Sequence, residues 1–264
     1  MALRLEGKHI VITGASSGIG EQIAYEVARQ KAIPILVARN KEKLANMAKQ
    51  IETAYHVSCR YYCLDVSDMA AVETVFQQIF NDIKTIDVLV NNAGFGVFRN
   101  VEEIDLQEMK DMFEVNVFGL IACTKMVYPH MIKRGSGHII NIASQAGKIA
   151  TPKSSVYSAT KHAVLGFTNS LRMEAAPHGV FVTTVNPGPI QTNFFTIADA
   201  SGDYVKNVER WMLSPEHVAR CVVEVMMTPT REVNMPIWMN LGSKMYQLFP
   251  TLVERLGKNA FFKK

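Results

Sequence analysis

Residues 157–161 read YSATK, placing a phenol and an ammonium four positions apart. A helical turn takes about 3.6 residues, so on a helix Tyr157 and Lys161 stand on one face, one above the other. An unperturbed phenol titrates near pH ~10, too high to exchange a proton easily near neutrality. A neighbouring cation favours the phenolate and brings it toward a working range. Tyr/Lys pairs at this spacing are also common on ordinary helix surfaces, so a chemical reading needs further partners. Ser144 closes the apolar run GHIINIAS (137–144) and offers a hydroxyl. Asn116 offers a carboxamide within an otherwise apolar helical stretch.

A second constellation lies near the start of the chain. TGASSGIG (13–20) follows the apolar run KHIVIT and opens an amphipathic stretch. Gly14 suits a tight turn, Gly18 a close approach of pyrophosphate to the backbone, and Gly20 the packing of helix on strand. Ser16, Ser17 and Ile19 complete this candidate phosphate-binding turn. The helix that follows would present unpaired N–H groups and the positive end of its dipole. A glycine triplet alone is weak, but strand, turn and helix together point to a dinucleotide. At the end of the second apolar run the sequence is Val37-Ala38-Arg39-Asn40. No acid stands there to hold a ribose 2′-hydroxyl, whereas Arg39 suits a 2′-phosphate through charge-assisted bonds. The expected cofactor is therefore NADP(H). Asp65, ending the third apolar run, is expected near the adenine amino group, with Val66 beside it.

These groups need a scaffold. Apolar runs at 8–13, 33–38, 59–66, 87–94, 137–144 and 179–188 alternate with helical stretches at 19–31, 40–54, 70–83, 105–134 and 154–176. That alternation predicts parallel βαβ units in one Rossmann-type, doubly wound α/β sheet with helices on both faces. A helix is expected at 215–227 and a short last strand within 230–241. One domain over residues 1–241, including an irregular substrate lobe at 189–213, and a helical tail at 242–264 complete the expectation.

Taken together, TGASSGIG at 13–20, NNAG at 91–94, Asn116, Ser144, YSATK at 157–161 and PGPIQT at 187–192 resemble the short-chain dehydrogenase/reductase family, in its order and spacing from about residue 7 to 228. The resemblance implies an NADP(H)-dependent oxidoreductase that reduces a ketone or aldehyde, or oxidises a secondary alcohol. It implies Tyr157 as general acid/base, Ser144 orienting the substrate oxygen, and Lys161 holding the nicotinamide ribose and lowering the Tyr157 pKa. Asn116 would position a water linking Lys161 to solvent. Asn92, Ala93 and Gly94 would lie near the ribose and nicotinamide, and Pro187, Gly188, Ile190 and Thr192 near the carboxamide. It implies a homo-oligomer, dimer or tetramer, although the tail departs from the short glycine-rich ending of the best-known members. A non-catalytic dinucleotide-binding regulator on the same fold would break the Ser/Tyr/Lys set, which is intact. Sugar-nucleotide epimerases or dehydratases of the extended type carry a different glycine spacing and a longer substrate domain.

The substrate lobe contributes Phe194, Phe195, Tyr204, Trp211, Met212 and Leu213. With Phe95, Val97 and Ile149 these suggest an apolar pocket, and hence an apolar small-molecule carbonyl or alcohol. Gln145 is placed to touch substrate. Lys148, Lys153, Lys206 and Arg210 read as a scattered solvated set. In the tail Met245, Leu248, Phe249, Leu252, Val253 and Leu256 follow helical spacing, with Pro250 splitting the stripe. The stripe fits a clasp on its own subunit, a dimer contact or an interfacial membrane foot.

Composition sets the outer limits. The 264 residues are 48% hydrophobic and carry a net charge of only +4, so no nucleic-acid partner is expected. Cys59, Cys63, Cys123 and Cys221 form no C-x-x-C or zinc spacing, and no metal site is expected. The opening MALRLEGKHIV has no signal-peptide core, and no run of about 18 apolar residues suggests a transmembrane segment. A cytoplasmic location is the expectation.

Overall fold

The computed structural model describes residues 3–199, 202, 206 and 208–256. Seven strands form one parallel sheet: β1 His9–Thr13, β2 Ile33–Ala38, β3 Arg60–Cys63, β4 Val88–Asn91, β5 Gly137–Ile142, β6 Val180–Pro187 and β7 Glu232–Met235. Their spatial order is β3-β2-β1-β4-β5-β6-β7. β1 therefore lies between β2 and β4, and the chain leaves the two neighbours toward opposite edges. The carboxyl ends of β1 and β4 open a crevice at this switch point, where such sheets bind ligands.

Side-chain alternation explains the two layers. On β1, Ile10 and Ile12 face one side and Val11 the other, as a period of two requires. Ile10 and Ile12 pack with α1 (Gly18–Arg29) and α2 (Lys41–Tyr55). Val11 packs on the opposite face with α3 (Met69–Ile83). That second face continues through α4 (Leu106–Phe113), α5 (Leu120–Arg134) and α6 (Ser155–Ala175). Helix starts follow local chemistry: Asn40 caps α2 through the Lys43 N–H, Asp68 caps α3 through Ala71, and Asp105 with Glu108 forms a capping box at α4.

The expected alternation is present, with three informative differences. The stretch predicted as one helix from 105 to 134 carries a π-helical turn at Glu114–Gly119 between α4 and α5. By length and composition, Leu106–Arg134 is apolar enough to cross a membrane. Yet Met112, Val117, Cys123, Val127 and Met131 are buried in the cores of this domain, as in a packed helix of a sheet protein. The lobe at 189–213 contains a short α7 (Phe194–Ala198), and its base is pinched by Leu213 N–H donating to Pro189 and Gln191 N–H to Leu213. α8 (Pro215–Glu224) follows, capped by Ser214. Finally, only 232–235 of the segment 230–241 is strand. A helix, α9 (Ile237–Leu248), starts before the expected boundary at 241 and runs through it, and Pro250 then opens α10 (Pro250–Leu256). Tail residues 257–264 and Tyr204 lie outside the described residues.

His138, on β5, is fully buried between Thr183, whose hydroxyl lies 2.8 Å from Nε2, and the Met227 N–H, which donates to Nδ1. Burial holds its pKa down at about 3. The unfolded chain binds this proton near pH ~6.5, whereas the native state does not until about 3, so stability is full above ~6.5 and falls as pH drops through that window. Unfolding free energies from urea titrations between neutrality and acid should decline accordingly, by on the order of a few kcal/mol across the window. A His138→Asn variant, less stable at neutral pH, should lose most of that slope.

Candidate active site

The glycine turn and the loop after β4 are built against each other. Thr13 Oγ accepts the backbone N–H groups of Asn92 (3.0 Å) and Ala93 (3.1 Å). The Asn92 amide returns bonds to the carbonyls of Thr13 (2.9 Å) and Gly14 (3.2 Å). Gly14 has φ +65°, and a Cβ there would stand 2.9 Å from the Ala93 backbone. Gly20 has no such φ; a Cβ on it would run into the Gly14 carbonyl and the Asn92 amide, so α1 starts hard against both loops. Gly18, at φ +58°, faces the Thr192 methyl across the crevice. Ser17 stands at the α1 N-cap without a side-chain capping bond, leaving the first N–H groups of the helix for an anion. Ser16 is half-buried beside it, and Ile19 packs into the core beneath.

Arg39 emerges exposed at the end of β2, and its guanidinium lies 3.7 Å from Asp65. Asp65 also accepts the N–H and hydroxyl of Ser67. Burial would raise its carboxyl, but the Ser67 bonds and Arg39 outweigh that and lower it. Val66 is buried, with both its carbonyl and its side chain packed against Gly119.

Farther along the crevice, α6 brings Tyr157 and Lys161 under the ends of β4 and β5. Tyr157 is 8% exposed, and Lys161 Nζ lies 5.7 Å from the centre of its ring. Lys161 donates to the Ile142 carbonyl at 3.0 Å. Asn116, in the π-helical turn, clamps Phe95 through both backbone groups (2.9 and 2.8 Å) and donates to Thr160 on α6 at 3.2 Å. A Cβ on Gly94 would stand 2.9 Å from the Asn116 oxygen and 3.7 Å from Lys161 Nζ. Ser144 caps a short turn through the Ala146 N–H at 3.1 Å. Its hydroxyl reaches the Pro187 carbonyl at 3.5 Å, the limit of a hydrogen bond. Gly188 bonds to Met235, and Ile190 pairs with Leu213, so the Pro187–Thr192 segment is anchored at both ends.

The electrostatics differ from the sequence expectation. Burial pushes the Tyr157 phenol up to about 12, with a Ser144 hydrogen bond pulling the other way, and pushes the Lys161 ammonium down to about 8. Desolvation disfavours both charges and, at Tyr157, outweighs the Ser144 hydrogen bond.

The apolar wall is partly as expected. Val97 and Tyr157 share a cluster with Phe95 and Phe194, and Phe194 lies 5.7 Å from the Tyr157 ring, with Phe195 behind it. Sequence reasoning missed Phe98 and Met112. Phe98 stacks edge-on to Tyr157 at 5.7 Å and Met112 closes the cluster floor; the signal for Phe98 was its place three residues after Phe95. Ile149 is half-buried just past the Ser144 turn, with Met212 half-buried in the lobe. Other assignments need correction. Leu213 packs into the core, and Trp211 is exposed, edge-on to Trp238. The Gln145 side chain is buried, donating to the Asn186 carbonyl. Lys148 is no solvated charge: it bonds Glu232 at 2.6 Å and Asn234 at 3.0 Å. Lys153 is half-buried, Lys206 is exposed, and Arg210 lies over the Trp211 ring. Among the described residues, no cluster of His, Cys, Asp or Glu could hold a metal.

A switch-point crevice with a glycine turn, joined to buried Tyr157 and Lys161 beside half-buried Ser144, defines a nucleotide-binding α/β protein. The comparisons agree. The short chain dehydrogenase family profile matches residues 8–201. An NADP-dependent 3-hydroxy acid dehydrogenase of Schizosaccharomyces pombe is 35% identical over 227 residues, spanning 83% of this chain and 87% of that protein. An alcohol dehydrogenase of Thermococcus sibiricus, solved with 5-hydroxy-NADP, superposes with a TM-score of 0.78 at 29% identity, covering 87% of this chain and 96% of that one. A short-chain dehydrogenase of Sphingobium yanoikuyae, solved with NADPH, gives 0.80 at 25% identity over 92% and 95% of the two chains. The chain belongs to the short-chain dehydrogenase family, a family of oxidoreductases.

A Gly14→Ala variant tests the fit of the turn to the Asn92 loop. The strained φ and the Ala93 contact should lower stability by about 1–3 kcal/mol, read as a fall in the thermal midpoint. A midpoint equal to that of the unaltered protein would contradict the described turn.

Proposed function

We propose that this chain reduces the carbonyl of an apolar ketone or aldehyde with NADPH, with Tyr157 as the general acid. The observation that carries this reading is the burial of Tyr157 and Lys161 together at the mouth of the glycine-turn crevice, beneath an aromatic wall. The residues present fit the cofactor. The uncapped start of α1 with Gly14, Ser16, Ser17, Gly18, Ile19 and Gly20 would hold the pyrophosphate, Arg39 the 2′-phosphate, and Asp65 and Val66 the adenine side. Asn92, Ala93 and Gly94, with Lys161, would meet the ribose, and Pro187, Gly188, Ile190 and Thr192 the carboxamide end. The NADP dependence of the S. pombe relative, and the 5-hydroxy-NADP and NADPH bound in the two structural neighbours, support that choice. When bound, NADPH supplies the hydride, and no metal is needed for polarisation.

The chain's own residues supply the proton. Ser144 donates a hydrogen bond to the substrate oxygen and fixes it against Tyr157. A phenol held up at about 12 rests protonated at neutral pH, which suits an acid delivering a proton to the developing alkoxide. The Lys161 ammonium steadies the phenolate left behind. Asn116 keeps the Phe95 loop and α6 in register, and a water beside it would restore the proton through Lys161. Phe98, Phe194 and Phe195 exclude bulk water and select an apolar substrate.

Three outcomes follow. Tyr157→Phe should lower kcat for NADPH-linked reduction by roughly 10²–10⁴ while NADPH affinity changes less than about twofold; steady-state rates and fluorescence titration check both, and near-native turnover would remove the acid role. Arg39→Asp should weaken NADPH relative to NADH by about tenfold or more, seen in the ratio of dissociation constants. Reductive kcat should fall as pH rises through about 8, because the ammonium that stabilises the phenolate is lost there while the phenol stays protonated to about 12. A pH–rate profile flat to pH ~10, the ordinary phenol range, would separate Lys161 from the step.

A further inference from the structure

Helix α9 is amphipathic in the wrong sense for a helix that only packs on its own domain. Toward the protein it turns Met239, Asn240, Ser243 and Tyr246, of which Ser243 is 1% exposed. Toward solvent it turns Ile237 (84% exposed), Trp238, Leu241 (67%), Met245 and Leu248 (69%). At about 100° per residue these five fall within a sector of about 100°, a continuous apolar stripe. The stripe continues through exposed Phe249 and, past Pro250, through exposed Leu252 and Leu256. Its near end meets Trp211 of the substrate lobe, 5.4 Å from Trp238, with the Arg210 guanidinium on the outer ring face. No part of its own subunit covers this face among the described residues.

We propose that this face docks on an anionic lipid surface. Charge favours that occupant. Lys244 and Arg255 flank the stripe, and the sequence after Leu256 adds Lys258, Lys263 and Lys264 without an acid; of the two acids beside the face, Glu254 is bonded to the Tyr246 hydroxyl and Glu209 stands next to Arg210 in the lobe turn. Area argues against a second copy of the chain. Even laid end to end, helices of 12 and 7 residues give a strip at most about 28 Å long and 10 Å wide, hence about 300 Å², against about 800 Å² per partner in a stable protein interface. A bilayer demands neither that area nor a complementary shape. A helix lying in its plane buries the apolar face about 5–10 Å deep while basic side chains reach the headgroups. Two tryptophans at the edge of the stripe suit the same depth.

The test uses the full chain and vesicles of phosphatidylcholine with or without phosphatidylserine. The protein should float with the phosphatidylserine vesicles, and much less with the neutral ones. The chain's two tryptophans, Trp211 and Trp238, both sit at this edge, so their emission should shift to the blue on vesicle addition. Leu241→Glu combined with Leu248→Glu should weaken vesicle binding by about tenfold or more, with the thermal midpoint and NADPH affinity unchanged because both positions are exposed. Failure of the unaltered protein to float, or to change its emission, would overturn the proposal. Equal flotation of the double variant would also overturn it. Sedimentation showing dimers that the double variant converts to monomers, without vesicle recruitment, would assign the face to a second copy instead.

Discussion

The Lys161 ammonium is buried, bonded to the Ile142 carbonyl, and paired with no carboxylate among the described residues. Such a charge is costly in a protein interior and persists only where its surroundings are arranged for it. The arrangement involves four separate parts of the chain. The end of β5 provides the carbonyl, Gly94 leaves room by having no side chain, Asn116 fixes the loop carrying Gly94, and Tyr157 places its ring one turn away on α6. The same arrangement leaves the ammonium's charge available for a phenolate or for ribose hydroxyls, which is what the proposed reaction requires of it.

The glycine turn and the Asn116, Tyr157 and Lys161 group are physically one structure. Thr13 and Asn92 tie the loop after β1 to the loop after β4, and Asn92 leads directly to Gly94 and Phe95. A shift at the phosphate end would therefore reach Asn116 and α6 through short, part-buried hydrogen bonds. On the other bank, the Gly188 bond to Met235 and the pinched base of the 189–213 lobe carry Phe194 over Tyr157. The last strand and the substrate wall are thus coupled, and α9 continues directly from them.

Local pattern made much of this legible. Six apolar runs with helical stretches between them imply the parallel sheet, because a strand buried on both faces must be apolar throughout. TGASSGIG and YSATK are short enough that sequence spacing fixes their geometry. What escaped notice depends on contacts far apart in the chain. Lys148 looked solvated because its partner Glu232 lies 84 positions away on β7. Gln145 looked available to substrate because nothing local shows that Asn186 receives it. The π-helical turn at Asn116 leaves no periodic mark in a uniformly apolar stretch. Residues 230–241 read as a strand because a short apolar run suits either element; only the outward stripe, clear when Ile237, Leu241, Met245 and Leu248 are taken together, marks a helix.

The central claim is that burial keeps Tyr157 protonated, ready to give its proton to a developing alkoxide, and that a bound cationic nicotinamide makes the phenolate left behind easier to form. The direct measurement is a phenolate absorbance titration of the protein minus that of a Tyr157→Phe variant, without and then with NADP+. We expect one tyrosine ionising above the ordinary value of ~10 in the free protein, moving down when NADP+ is present. A difference titration at the ordinary value, unmoved by NADP+, would contradict the account.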